Sequence, residues 1–196
     1  MAAAAQQQKP QTNQNSGKAA GAKAPAKKPL PQAVGIGIMV VLLVASLFVG
    51  NMRALQKVTP PSFMKQGDVA SIVEDRVNAA VNAETVSKRA SVDSSLYTAV
   101  DSAVSAFKSA KNARDLSRAD QNLTTAVSEM TAAANRVLST EDQRVLSKAR
   151  DNFDEQGNFL RQEARSFNTK AEKARDLYEK LPTSFVLPQP DYYEGL

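Results

Sequence analysis

The chain has neither cysteine nor histidine among its 196 residues. Without cysteine there is no disulfide framework, no thiolate nucleophile and no lipoprotein attachment point. Without histidine the commonest acid/base group and metal ligand is missing. Acidic residues are also missing from the first third. All twenty Asp and Glu lie at or after Asp68, so residues 1–67 carry eight Lys or Arg and no acid, against seventeen basic and twenty acidic residues from 68 to 196. The net charge of +5 therefore belongs to the N-terminal third. Phosphate recognition needs clustered positive charge. The remainder is slightly acidic, which argues against nucleic-acid binding.

Residues 1–32 contain much Ala, Gln, Lys and Pro, one Leu and no aromatic residue. Such a segment has too little apolar surface to offset its ordering entropy and is expected to be disordered. The next run, AVGIGIMVVLLVASLFVG, holds Ser46 as its only polar side chain and lies in a charge-free interval from Pro29 to Met52. A helix needs roughly 20 mostly apolar residues to cross a bilayer core, so residues 33–52 are expected to be a transmembrane helix. A cleaved signal peptide would have a shorter basic leader and a small-x-small cleavage site, neither of which is clear here. Pro60-Pro61 then interrupts the chain, and residues 53–67 read as a linker between membrane and domain.

From Asp68 onward the apolar residues recur at helical spacing. Val69, Val73, Val77 and Val81, with Ile72 and Ala80, define one segment. A second contains Val92, Leu96, Val100, Ala103, Phe107 and Ala110, and a third Leu116, Leu123, Met130 and Val137. In the last segment Leu146, Phe153, Leu160, Phe167, Ala174 and Leu181 are seven apart, with Gly157, Ala164, Ala171 and Tyr178 four residues after members of that row. Rows alternating at four and three residues share one face of a helix. The third and fourth segments are expected to meet near Leu138–Thr140, with Ser117/Asp120 and Thr140/Gln143 as capping pairs. No strand alternation competes. The fold class expected is all-α: an N-terminal transmembrane helix followed by an antiparallel bundle of about four long helices over 68–182, packed as a bundle or coiled coil. Its Ala, Ser and Val interior implies close helix spacing.

Pro182 should stop the last helix, because the residue before a proline is pushed out of the α region. In the segment 183–196, Phe185, Val186, Leu187, Tyr192 and Tyr193 can fold back over the bundle, with the phenols kept wet. Asn168, beside Phe167, reads as a solvated or helix-bridging amide.

Asn158, Phe167-Asn168, Leu181-Pro182 and Tyr192-Tyr193-Glu194 together resemble the pattern of the LemA family, membrane-anchored bacterial proteins with an N-terminal transmembrane helix and a long-helix bundle. Ala174-Arg175 stands where the family has a second aromatic-Asn pair, and the Gly-Phe part of the tail is shortened. Lys88-Arg89 precedes the second segment, as a basic pair does in the family, without the Leu-Ile-Pro-Asn-Leu run. The likeness covers residues 115–196 and, by architecture only, the anchor. It implies a noncatalytic module that binds a protein partner or scaffolds at the cell envelope.

No residue is singled out as catalytic, cofactor-binding or metal-ligating, and no cofactor is expected. Asp151, Asp154 and Glu155, like Glu172, Asp176 and Glu179, lie among Arg and Lys on polar faces, and a di-metal carboxylate bundle would need Glu-x-x-His motifs. The alternative is a membrane-anchored signalling or sensor stalk, against which Pro60-Pro61 breaks the mechanical connection. The expected partners are the lipid bilayer, through 33–52, and a protein. Lys18, Lys23, Lys27 and Lys28 before the span outnumber Arg53, Lys57 and Lys65 after it, which favours a cytoplasmic N-terminus and a bundle outside the membrane.

Overall fold

The computed structural model describes residues 32–196; of the segment 1–32 expected to be disordered, residues 1–31 lie outside them and Gln32 begins the first helix. Among the described residues there are five α-helices and no strand: α1 (Gln32–Val58), α2 (Val69–Ser87), α3 (Ser94–Ser109), α4 (Ala113–Asn135) and α5 (Thr140–Lys180). Short 3-10 turns at Phe63–Lys65 and Ser184–Val186 flank the bundle helices. The all-α bundle of four helices expected from the spacing is thus present.

Helix α1 is long and apolar enough to cross a membrane. It extends to Val58, six residues beyond the expected span. Thr59 closes its last turn by donating to the Leu55 carbonyl through both N–H and hydroxyl, at 2.9 and 2.8 Å. Pro60 then ends it. The segment read as a linker is short and structured. Leu55 is buried, and Phe63 is fully buried in the core, with its ring centroid 5.1 Å from that of Phe167 and 5.6 Å from that of Tyr193.

Helix α2 packs along α5 and also meets α3 and α4, while α3 packs mainly on α4. The α2–α5 pairing is antiparallel: Arg89, just past the end of α2, reaches Asp142 at the start of α5, and Arg76 reaches Phe153. At 1.5 Å per residue the 41 residues of α5 span about 60 Å, roughly twice the length of α2. The surplus at its C-terminal end is where the chain turns back on itself.

The core follows the apolar rows, with Leu116, Leu123, Met130, Phe153, Leu160, Phe167 and the small Ala164 and Ala171 buried between helices. Burying one such large side chain contributes about 1.5–3 kcal/mol. The rows fail at their ends. Val137 is 59% exposed because α4 stops at Asn135, and Val81 faces outward from α2. Both expected capping pairs are displaced. Helix α5 is capped by Ser139, whose hydroxyl accepts from Asp142 N–H at 3.2 Å, and Gln143 instead donates to the carbonyls of Asn135 and Leu138 at the end of α4. Ser117 and Asp120 lie inside α4, which begins four residues earlier under an Asn112 cap. Leu181 before Pro182 is extended, with ψ at 130°, and ends α5 as expected.

Candidate functional site

The densest polar chemistry lies where the C-terminal segment meets α2, α4 and α5. Its centre is Arg76, 1% exposed. The sequence gives Arg76 no periodic signal, since it sits beside Val77 in an otherwise ordinary amphipathic helix. Its guanidinium donates through Nε to Asp120 Oδ1 at 2.5 Å, through Nη1 to the Phe153 carbonyl at 2.7 Å and through Nη2 to Thr124 Oγ1 at 2.8 Å. Cζ also stands 4.0 Å from the centroid of the Phe153 ring, a cation–π contact. A buried charge is tolerable only when it is paired and its donors are satisfied. Here the partners come from α4 and α5, so one side chain of α2 ties three helices together.

The other oxygen of Asp120 accepts a hydrogen bond from the Tyr193 hydroxyl at 3.3 Å. Burial pushes the Tyr193 phenol well above its ordinary range, and the neighbouring Asp120 carboxylate adds to the rise, because ionisation would place a second negative charge against it. The phenol is therefore a fixed donor. The expectation that both tail phenols stay in water is corrected at Tyr193, which is buried, and holds in part for the half-buried Tyr192. The Tyr192 ring lies under the Arg175 guanidinium at 4.6 Å.

Asn168 completes the clamp. Its Nδ2 donates to the Tyr193 carbonyl at 2.8 Å and its Oδ1 accepts from Tyr193 N–H at 3.0 Å, a two-way bond that substitutes for a strand partner. The amide is buried and serves the tail, not solvent or another helix. Further along, the Asp191 carboxylate accepts from the N–H groups of Ala113 and Arg114 at 2.8 and 3.3 Å. Those are the first amides of α4, which have no partner within the helix, and a carboxylate there also meets the positive end of the helix dipole. Arg114 Nε donates to Glu194 Oε1 at 2.9 Å, and the Ser117 hydroxyl donates to the Glu194 carbonyl. Gly195 adopts φ +73°, where a side chain would also collide with Gln121. The tail thus runs antiparallel to α5 and alongside α4.

Not every apolar tail residue takes part. Leu187 is buried, but Phe185 is 84% and Val186 53% exposed. These two were expected to cover the bundle and do not. Tyr178 explains why, since its hydroxyl donates to the Ser184 carbonyl at 2.7 Å and holds the turn with Phe185 facing outward.

A shallow cleft of about 260 Å³ opens beside this clamp, lined among others by Asp120, Gln121, Thr124, Arg161 and Tyr193. Its best acid, Asp120, already serves Arg76 and Tyr193. Thr124 accepts from Arg76 and donates to the Asp120 carbonyl. The arrangement is chemically suited to fastening the tail rather than to moving protons. Asp151, Asp154, Glu155, Glu172, Asp176 and Glu179 are all exposed. No cluster of carboxylates suited to a metal ion occurs among the described residues.

Comparison with models of protein families, with curated proteins and with solved structures gives no match to this chain.

Proposed function

We propose that this chain is a noncatalytic, membrane-anchored helical module that binds a protein partner or acts as a scaffold at the bacterial cell envelope. One observation carries the reading: an apolar helix leads, through a two-proline turn, into a bundle whose buried Arg76, Asp120, Asn168 and Tyr193 are engaged in fastening its own C-terminal segment. Groups of that kind would have to be free to act on a substrate. The likeness to the LemA family supports the same reading, because among the residues that carry it Asn168, Leu181-Pro182 and, within Tyr192-Tyr193-Glu194, Tyr193 and Glu194 end α5 and hold the tail. The test is photo-crosslinking of the full chain in native membranes through a probe at exposed Phe159 or Val137. A reproducible protein adduct, lost when the neighbouring surface is made acidic, is expected. Adducts to lipid alone would contradict the proposal.

The lysine balance around the apolar run supports a cytoplasmic N-terminus with the bundle outside. Ser105 is exposed on α3 and the chain has no cysteine of its own, so Ser105→Cys makes a unique label site. Labelling by an impermeant maleimide in intact cells is expected, and labelling only after lysis would reverse the orientation.

A second reading, a stalk that relays a change across the membrane, is favoured by the stiffness of the junction. Leu55 and Phe63 are buried on either side of Pro60-Pro61, which therefore interrupts the helix without freeing it from the bundle. A relay would crosslink to partners through the N-terminal segment as well as through the bundle, whereas a scaffold would do so through the bundle only.

A further inference from the structure

We propose that the turn Ser184–Val186 is a second membrane contact, with Phe185 and Val186 inserted into the interfacial layer of the bilayer that α1 crosses. The proposal rests on the anchor reading of α1. Asn51 is the first polar side chain after the apolar run ends at Gly50, and its Nδ2 donates to Thr183 Oγ1 at 2.7 Å. The residue that opens the turn is thereby held level with the edge of the apolar run.

The direction follows from the chain path. From Asn51 the chain leaves the apolar run through Leu55 and reaches Phe63, which packs on Phe167 in the C-terminal half of α5. Following α5 in the opposite sense, from Phe167 to Lys180, therefore leads back toward the apolar run. The chain reverses there, because Tyr178 holds Ser184 and, ten residues earlier on α5, Asn168 holds Tyr193. The turn is the tip of that hairpin, and it faces the side on which Leu42–Gly50 lies.

That tip presents apolar side chains that nothing in the bundle covers. Phe185 is 84% exposed and Val186 53%, although Leu187 beside them is buried. Phe185 is two residues from Thr183, a reach of up to about 7 Å, and interfacial apolar groups sit about 5–10 Å into the headgroup and acyl boundary. Exposed Arg53 and Lys180 flank the same end and can extend their ammonium or guanidinium groups to lipid phosphates. A lipid surface is the occupant that this geometry favours over a second copy of the chain, because the apolar run next to the turn already requires one.

The chain contains no tryptophan, so Phe185→Trp introduces a single fluorophore at a position that carries no packing. The full-length variant would be reconstituted in phosphatidylcholine and phosphatidylglycerol vesicles whose lipids carry bromine either near the headgroup end or near the tail end of the acyl chain. Leu43→Trp, inside the apolar run, serves as the reference. The expected result is loss of Phe185→Trp emission with shallow bromine and little loss with deep bromine, while Leu43→Trp is quenched by deep bromine. Quenching of Leu43→Trp alone would overturn the turn contact and leave the anchor standing. If neither is quenched, the anchor reading fails and the turn contact with it. A Phe185→Trp emission that shifts with protein concentration and ignores bromine would assign the turn to a second copy instead.

Discussion

The guanidinium of Arg76 lies against the Cα of Gly157, where an added Cβ would stand 2.8 Å from Cζ and 3.0 Å from Nη2. Replacing a helix-interior glycine by alanine ordinarily stabilises a helix by about 1 kcal/mol. Here the sign should reverse. Arg76 is held by bonds to Asp120, Thr124 and the Phe153 carbonyl, so it can move only by breaking them. Gly157→Ala is expected to destabilise the bundle by about 1–3 kcal/mol, the usual cost of overpacking. Urea unfolding of the detergent-solubilised chain checks this, and an unchanged or raised midpoint would mean that Arg76 swings aside freely.

Asp120→Ala should be worse, because it leaves the Arg76 charge buried without its partner, at a cost of about 3–5 kcal/mol. Replacing both residues, as Arg76→Met with Asp120→Leu, removes the charge and should recover most of that loss, short of the hydrogen bond from the Tyr193 hydroxyl. Thermal melts of the two variants are the comparison. A double variant as unstable as the single one would show that the three helices need the ion pair itself.

Asn168→Ala removes both hydrogen bonds to the Tyr193 backbone and leaves a buried N–H and carbonyl unpaired, each worth about 1–3 kcal/mol. The tail should open before the bundle does. Hydrogen exchange is expected to accelerate at the Tyr193 amide while the amides of α2 stay protected, and chymotrypsin should cut sooner at Tyr192 or Tyr193. Unchanged exchange at Tyr193 would place the clamp elsewhere.

Alkaline pH should loosen the same clamp. Tyr193 has its folded-state pKa raised, chiefly by burial, so its contribution is fully present below the unfolded tyrosine value of about 10. Above that pH the unfolded chain loses the proton first, and stability falls as pH rises toward the folded value. Tyr193→Phe should melt lower than the parent at neutral pH and show a flatter decline above that point. Parallel curves for the two proteins would indicate that Tyr193 does not carry the effect.

The helices were readable because their signal is local and periodic. Leu146, Phe153, Leu160 and Phe167 repeat along one face, and all four are buried. Pro182 likewise announced the end of α5. The clamp was legible only in outline. Aromatic residues after a helix stop suggest a tail that folds back, but Arg76 meets Asp120 across 44 residues and Asn168 meets Tyr193 across 25, and no spacing rule links residues so far apart in sequence. Gly157 counted as a small member of the apolar row, whereas its size is fixed by a charged side chain from another helix. Phe185 looked like Leu187 in the sequence. The difference lies in the turn geometry that Tyr178 imposes.

Extraction of membranes with alkaline carbonate, from cells making either the full chain or a form lacking residues 33–52, tests the proposal of a membrane-anchored module most directly. Carbonate strips peripheral proteins and leaves spanning ones in the lipid. The full chain should stay in the membrane pellet at its full mass, and the shortened form should be released into the supernatant. Full-length chain in the supernatant, or a membrane-free product beginning near Asn51, would contradict the account.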